Sequence, residues 1–270
     1  MPTINTNVNA LFAQNALKVN DRSLTKAMQQ LSTGSRINSS GDDAAGLAIG
    51  TNMTAQIRGL NMAVRNANDG ISMLQTAEGA MVEQTNMLQR MRELAVQATT
   101  ATYNTTQLGY LDTEFQALDT QINNIASNTK WNGSTVLAST ATKSFVVGAA
   151  GTETISVTLT ATDTTTLATT SLVVSSASSA ATAVTAIDTA LASISSARAS
   201  IGAGINQLTY AADNLTNVSQ NLTASRSQIV DTDYATATTQ LARSQIIQQA
   251  ATAMLAQANQ QPQTVLALLK

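Results

Sequence analysis

The stretch Val184–Ile229, VTAIDTALASISSARASIGAGINQLTYAADNLTNVSQNLTASRSQI, decides the fold. Within it Val184, Ile187, Leu191, Ile194, Arg198, Ile201, Ile205, Leu208, Ala212, Leu215, Ser219 and Leu222 alternate steps of three and four residues without a slip, and the register continues through Arg226 to Ile229. Such spacing keeps a single stripe on one face of a long helix and asks for a partner helix to cover it. A matching pattern lies nearer the N-terminus, at Leu60, Val64, Ala67, Ile71, Leu74, Glu78, Met81, Thr85, Leu88, Arg92 and Ala95. A second seam runs beside it through Met73, Ala77, Ala80, Gln84, Met87, Met91 and Leu94, so this helix packs against more than one neighbour. A third helix is marked by Leu111, Phe115, Leu118, Ile122 and Ile125. The helix spanning about 45–99 would be roughly 80 Å long at 1.5 Å per residue, a rod rather than a globule.

Composition points the same way. The 270 residues contain only 3% aromatic and 11% charged side chains. A compact core of that size draws on aromatics for much of its buried area, whereas small residues suit close helix contact along extended seams. A net charge of −2 gives no reason to expect nucleic acid or an anionic membrane as partner. The sequence has no Cys, hence no disulfide, and no His. The missing histidine removes Ser-His-Asp triads, Cys-His pairs and HExxH zinc sites. No cofactor is called for. The start, MPTINTNVNALFAQNALKVNDR, lacks the basic and apolar regions of a cleavable signal. No uninterrupted apolar stretch approaches about 18 residues, so no membrane insertion is expected.

Between about 140 and 179 the chain becomes rich in Thr, Ser and Val, with Gly148 and Gly151 marking a turn. ISVTLTA (155–161) alternates apolar and polar as a half-exposed strand does, and KSFVVG (143–148) and SLVVSS (171–176) are candidate partners. These predict a small β-hairpin region, with a polar loop as the alternative. The two ends mirror each other. Ile4, Val8, Leu11 and Phe12 form an apolar patch that Leu17, Leu24, Met28 and Leu31 continue, while Leu241, Ile247, Ala251, Met254 and Ala258 form a stripe ahead of QQPQTVLALLK. Segments so weakly amphipathic bury too little surface alone to offset their ordering entropy. They should order only against partner helices, with both termini at one end of an elongated molecule. The predicted class is therefore mainly α: an elongated antiparallel coiled-coil bundle with a small β-hairpin region and paired terminal helices.

The stretch RINSSGDDAAGLAIG (36–50) holds the paired acids Asp42 and Asp43. Counting an EF-hand loop from Asp42 puts Ala44, Gly46 and Met53 where oxygen ligands belong, so calcium is excluded. A general acid–base pair lacks any adjacent His, Lys or nucleophile. Ser40-Gly41-Asp42-Asp43 reads instead as a capping-box-like start to the long helix, with the acids at the positive end of its dipole. Asn132-Gly133-Ser134 and Asn217-Val218-Ser219 are matches to the glycosylation acceptor pattern that this Asn/Ser/Thr-rich composition gives by chance.

LSTGSRINSSGDDAAGLAIG, RNANDGISMLQTAEGA and LQRMRELAVQ near the start, with SRSQIVDTDYATATTQLARSQIIQQA and MLAQANQQPQTVLALLK near the finish, resemble bacterial flagellins. The resemblance covers roughly 4–137 and 180–270. It implies an inner-tube helix at 1–34, a connecting spoke at 35–46, the N-terminal part of a rod at 47–139, an outer segment at 140–179, a rod helix at 180–229 and a second inner-tube helix at 230–270. It further implies a non-enzymatic subunit that polymerises with copies of itself into the flagellar filament for swimming motility. Export would use the flagellar type III route without a cleavable signal peptide, placing the protein outside the cell in the flagellum. Cap, junction proteins and an export chaperone are the implied partners. With about forty residues in the centre, the large outer domains of many family members would be missing. Ile4, Val8, Leu11, Leu24, Leu31, Arg36, Asp42, Asp43, Leu241, Ile247, Met254, Val265 and Leu268 are the candidate packing and assembly residues. Arg90, Leu94 and Glu114 match the positions through which Toll-like receptor 5 detects the flagellins it recognises, as monomer and not as filament. The hook–filament junction protein, which shares the terminal helices, is the runner-up. A flagellin carrying a peptidase insert would need an HExxH site and a large central domain, and the sequence has neither.

Overall fold

The computed structural model describes residues 6–267, with side chains from 6 to 260. Five helices and two strand pairs follow in order: α1 (Val8–Thr33), α2 (Ala44–Ala98), α3 (Thr105–Asn128), β1 (Lys130–Trp131), β2 (Ser134–Thr135), β3 (Ala141–Val146), β4 (Thr154–Leu159), α4 (Ala177–Val230) and α5 (Tyr234–Ala267). The mainly helical class with a small β region is the one the heptads predict. The chain divides into two compact units, one formed by 1–55 with 221–270 and the other by 56–220.

In the unit 56–220, α2 carries both expected seams. Leu60, Ala67, Leu74, Met81, Leu88 and Ala95 are buried on one, and Met73, Ala77, Gln84, Met91 and Leu94 on the other. A helix buried along two adjacent stripes must have two neighbours, and both are tied to it by polar contacts. Gln84 Nε2 donates to the carbonyl of Ile122 on α3 at 3.2 Å, and Arg92 Nε to Asp188 Oδ1 on α4 at 2.6 Å. α3 starts on a capping box: Asn104 Oδ1 accepts from the Gln107 N–H at 2.8 Å while Gln107 Oε1 accepts from the Asn104 N–H at 3.1 Å. It buries Leu108, Phe115, Ile122 and Ala126.

The seam of α4 lies slightly rotated from its predicted position. Ile187, Ile194, Ile201 and Leu208 are buried as expected, but the alternate positions that go under are Ala183, Ala190, Ala197 and Gly204. Val184, Leu191 and Ile205 flank the core only partly buried, and Arg198 reaches out to Glu78 at 3.8 Å. The cause is size: the small residues admit a closer approach, and a Cβ on Gly204 would stand 2.6 Å from a Val157 methyl. By length and composition α4 is apolar enough to cross a membrane, with a best window of mean hydropathy 1.2. The absence of an uninterrupted apolar run did not anticipate this, because alanines between the isoleucines raise the average.

β3 and β4 pair antiparallel in the register Phe145↔Ile155 and Lys143↔Val157. Ser144 and Ser156 hydroxyls meet at 2.9 Å on the outer face, while Val157 and Leu159 are buried on the inner one. The third expected strand, SLVVSS, is a loop. Ser171 sits at φ 72°. The hydrogen-bonding groups around it are taken by α3 side chains: the Val174 N–H donates to Asp112 Oδ1 at 2.8 Å and Gln116 Nε2 donates to the Leu172 carbonyl at 2.6 Å. With its backbone so occupied, the segment has nothing left to offer a neighbouring strand. A second small hairpin, β1 with β2, turns at Asn132 (φ 46°) and Gly133 (φ 81°), the left-handed pair that a two-residue turn requires.

Candidate assembly site

The unit of 1–55 with 221–270 holds most of the candidate assembly residues. Its two helices α1 and α5 meet through small and polar side chains. Ala10, Ala27 and Ala237 are buried, and so are Asn20 and Ser244. Asn20 Nδ2 donates to the Ser244 carbonyl at 2.8 Å, and Asn7 Nδ2 to the Ala258 carbonyl at 2.8 Å. Large apolar side chains point elsewhere. Val8 is 52% exposed, Leu11 55%, Phe12 76%, Ile246 67% and Met254 67%. Ile247 is exposed too, while Leu24, Leu31 and Leu241 are half-buried. Ile4, Val265 and Leu268 lie outside the described residues as far as their side chains are concerned. Phe12 and Met254 line one shallow cleft of about 460 Å³ whose floor includes Ala13, Ala16 and Ala251. An exposed aromatic beside an alanine-floored cleft is a surface that water covers poorly.

The paired acids divide their work. Asp43 is the N-cap of α2: its Oδ1 accepts from the Gly46 N–H at 2.8 Å, and its carbonyl takes the Leu47 N–H at 3.0 Å. Asp42 instead folds the spoke back. Its Oδ2 accepts from the N–H groups of Asn38 and Ser39 at 3.2 and 3.1 Å, and its Oδ1 pairs with Lys26 Nζ on α1 at 2.8 Å. The lysine bond first, and those backbone donors after it, hold the Asp42 carboxyl down from 3.8 to about 2. Donors therefore occupy this carboxylate, which leaves it unlike a metal ligand. Sequence spacing identified the start of the helix but not which acid caps it.

Arg36 lies at the other side of the spoke. Its N–H donates to the Val230 carbonyl at 2.7 Å and its Nη2 to the Ile229 carbonyl at 2.6 Å. Ser35 and Asp231 form an isolated antiparallel bridge, and the Thr232 N–H donates to the Gly34 carbonyl at 3.0 Å. The sequence marks Arg36 as a packing residue without giving its partners. No local signal could, since Ile229 is 193 residues away.

On the unit 56–220, Arg90 pairs with Glu114 at 2.9 Å and with Glu93 at 3.0 Å. The hydrogen bonds from these two acids hold the guanidinium pKa above its ordinary value. Leu94, the third residue of that set, is only 1% exposed and packs in the core beneath the charged pair.

Comparison with known proteins fits this arrangement of long helices and paired ends. The bacterial flagellin N-terminal helical region matches residues 4–142, and the bacterial flagellin C-terminal helical region matches 184–269. The chain belongs to the flagellin family. It is 44% identical over 270 residues to a flagellin of Halalkalibacterium halodurans, covering 99% of both chains. Against flagellin A of Vibrio anguillarum it is 48% identical over 159 residues, 58% of this chain. That match spans only 42% of the Vibrio protein's length. Among solved structures, Bacillus cereus flagellin aligns with a TM-score of 0.51 at 34% identity, covering 60% of this chain and 94% of that one. A protein described as a flagellar hook-associated protein of Vibrio parahaemolyticus aligns with a TM-score of 0.61 at 12% identity, covering 70% of this chain and 100% of that one, which is a likeness of fold.

Proposed function

We propose that this flagellin is a structural subunit that polymerises with copies of itself into the extracellular flagellar filament, and that it acts through burial rather than catalysis. The observation that carries the reading is the outward set of Val8, Leu11, Phe12, Ile246 and Met254 on α1 and α5, apolar surface that the chain's own fold leaves in water. Covering an exposed large apolar side chain releases about 1.5–3 kcal/mol. The same surface of one copy cannot stay open along a polymer, so association supplies the partner that the sequence lacks. A heterologous contact of this kind, repeated without closing, builds a helical filament.

The finer readings rest on the same residues. Export without a cleavable signal peptide is supported by the polar start of the chain, and the cap, junction proteins and export chaperone follow from the family. Arg36, Asp42 and Asp43 serve assembly by fixing the spoke, Leu24, Leu31 and Leu241 by packing the terminal pair, and Ile4, Ile247, Val265 and Leu268 by subunit contact. Recognition of the free subunit by Toll-like receptor 5 uses the exposed Arg90–Glu114 pair, with Leu94 supporting it from beneath. The hook–filament junction reading is separated by electron microscopy of the purified protein at high concentration. Long filaments are the expected result, and short rings only would overturn it. A chain ending at Gln261 should fail to form them; filaments of normal stability from that variant would sink the inner-tube assignment.

A further inference from the structure

We infer that the contact of residues 34–36 with 229–232 is a coupling joint, through which the N-terminal segment supplies the C-cap of α4 and so governs the ordering of α5, with Arg36 as its positioning residue. The helix α4 has no basic residue in its last turn. It is followed by Asp231 and Thr232 rather than by the glycine that commonly closes a helix. Its final carbonyls would face water with nothing of their own to satisfy them. Arg36 meets that need from the other end of the chain. The Val230 carbonyl receives the Arg36 N–H at 2.7 Å, and the Ile229 carbonyl receives the guanidinium at 2.6 Å, a positive charge at the negative end of the helix dipole.

The debt runs both ways. α1 ends at Gly34, whose φ of 70° suits glycine and whose N–H donates to the Gln30 carbonyl at 2.9 Å. Gln30 Nε2 then donates to the Arg36 carbonyl at 3.0 Å, and the Gly34 carbonyl takes the Thr232 N–H at 3.0 Å. Tyr234, the first residue of α5, donates its hydroxyl to the Leu31 carbonyl at 3.4 Å. Between α4 and α5 stand only Asp231, Thr232 and Asp233. Asp233 caps α5 by accepting from the Ala235 N–H at 2.9 Å. The direction in which α5 leaves is therefore fixed at a point that α1 and the spoke hold in place. The α1–α5 contact beyond the joint buries mainly Ala10, Ala27 and Ala237 with Asn20 and Ser244, too little apolar area to order two helices unaided. Order in one terminal helix is consequently conditional on the other, through the joint. This is a property of the single chain and stands apart from the polymerisation reading.

Hydrogen exchange read by mass spectrometry on the full-length, unpolymerised chain tests it, comparing wild type with Arg36→Ala and Arg36→Lys. In wild type, amides of 10–33 and 234–250 exchange with one shared protection factor. In Arg36→Ala both sets speed up together by about tenfold, while Arg36→Lys, which keeps a cationic donor, restores most of the protection. A change confined to 229–231, or a rise in one helix only, would overturn the coupling. So would terminal helices that exchange freely in wild type. Should Arg36→Ala fail to fold, Gln30→Ala removes a single bond of the joint and must produce the same paired response in smaller measure.

Discussion

Leu94→Ala separates packing from recognition on the unit 56–220. Leu94 is 1% exposed and belongs to the core shared by α2, α3 and α4. Truncating a fully buried leucine removes its transfer free energy and leaves a cavity, together about 3 kcal/mol. For a unit of this size each kcal/mol moves the midpoint by about 2–4 °C. The unpolymerised variant should therefore melt about 6–12 °C below wild type by circular dichroism or calorimetry. Arg90→Ala is the control, since its side chain is half exposed and its partners Glu93 and Glu114 are exposed too. It should leave the melt where it is. In a Toll-like receptor 5 reporter assay at 25 °C, where both variants are folded, Arg90→Ala should lose signal outright and Leu94→Ala should lose part of it. A Leu94→Ala midpoint within about 2 °C of wild type would refute the burial. A fully active Leu94→Ala chain would remove Leu94 from the recognition set.

Four further outcomes are expected. Asp42→Ala with Asp43→Ala removes both the α2 cap and the Lys26 tie, so filaments should dissociate more easily, and wild-type melting and polymerisation would refute the assignment. The Asp42 carboxyl, held near 2 in the fold against 3.8 when free, contributes stability above about pH 4 that is lost as pH falls towards 2; melts of wild type and Asp42→Asn should converge across that window. Asp119 is the opposite case: burial pushes its carboxyl up, against a weaker downward pull from Thr169, and Oδ1 has no partner. A raised folded pKa favours the fold below about pH 4 and counts against it as pH rises through the shifted value, so Asp119→Asn should raise the melting point at pH 7 and change little at pH 3; a lower melting point at pH 7 would show that the charge is needed. Finally, Phe12→Ala deletes the most exposed aromatic of α1, and at about 2 kcal/mol of lost burial the critical concentration for polymerisation should rise roughly thirtyfold with the monomer melt unchanged.

Long-range periodicity was fully legible, because it repeats. Twelve positions from Val184 to Leu222 cannot alternate in register unless a helix face is covered, and α4 runs through all of them. What periodicity left undetermined was the rotation of the face, since Ala183, Ala190, Ala197 and Gly204 add little hydrophobic signal yet permit the nearest approach. Alternation found β3 and β4 but promoted SLVVSS to a strand, for the groups that claim its backbone, Asp112 and Gln116, sit on a helix some sixty residues earlier. Asn132-Gly133 carried a turn signal that was legible in principle, the commonest pair for a two-residue hairpin, and was passed over as a modification pattern. The spoke was half legible. Local spacing marks Asp42 and Asp43 as a helix start, whereas Lys26 and Ile229 are found only by folding the chain.

The placement of side-chain size explains why the terminal pair looks weak in sequence and still matters. A stable isolated helix pair would put Phe12, Leu11, Ile246 and Met254 inside and alanines outside. The observed pair does the reverse, with Ala10, Ala27 and Ala237 inside and the larger groups in water. Within one chain that inversion gives up several kcal/mol of burial. The deficit is what makes the unit depend on outside help: from the joint at Arg36 for its order, and from neighbouring copies for its apolar surface. A sequence with the usual arrangement would fold more firmly alone and have less to gain from its neighbours. The low charge and weak amphipathicity of the two ends are thus the trace, in one dimension, of surfaces shaped for contacts that lie beyond the chain.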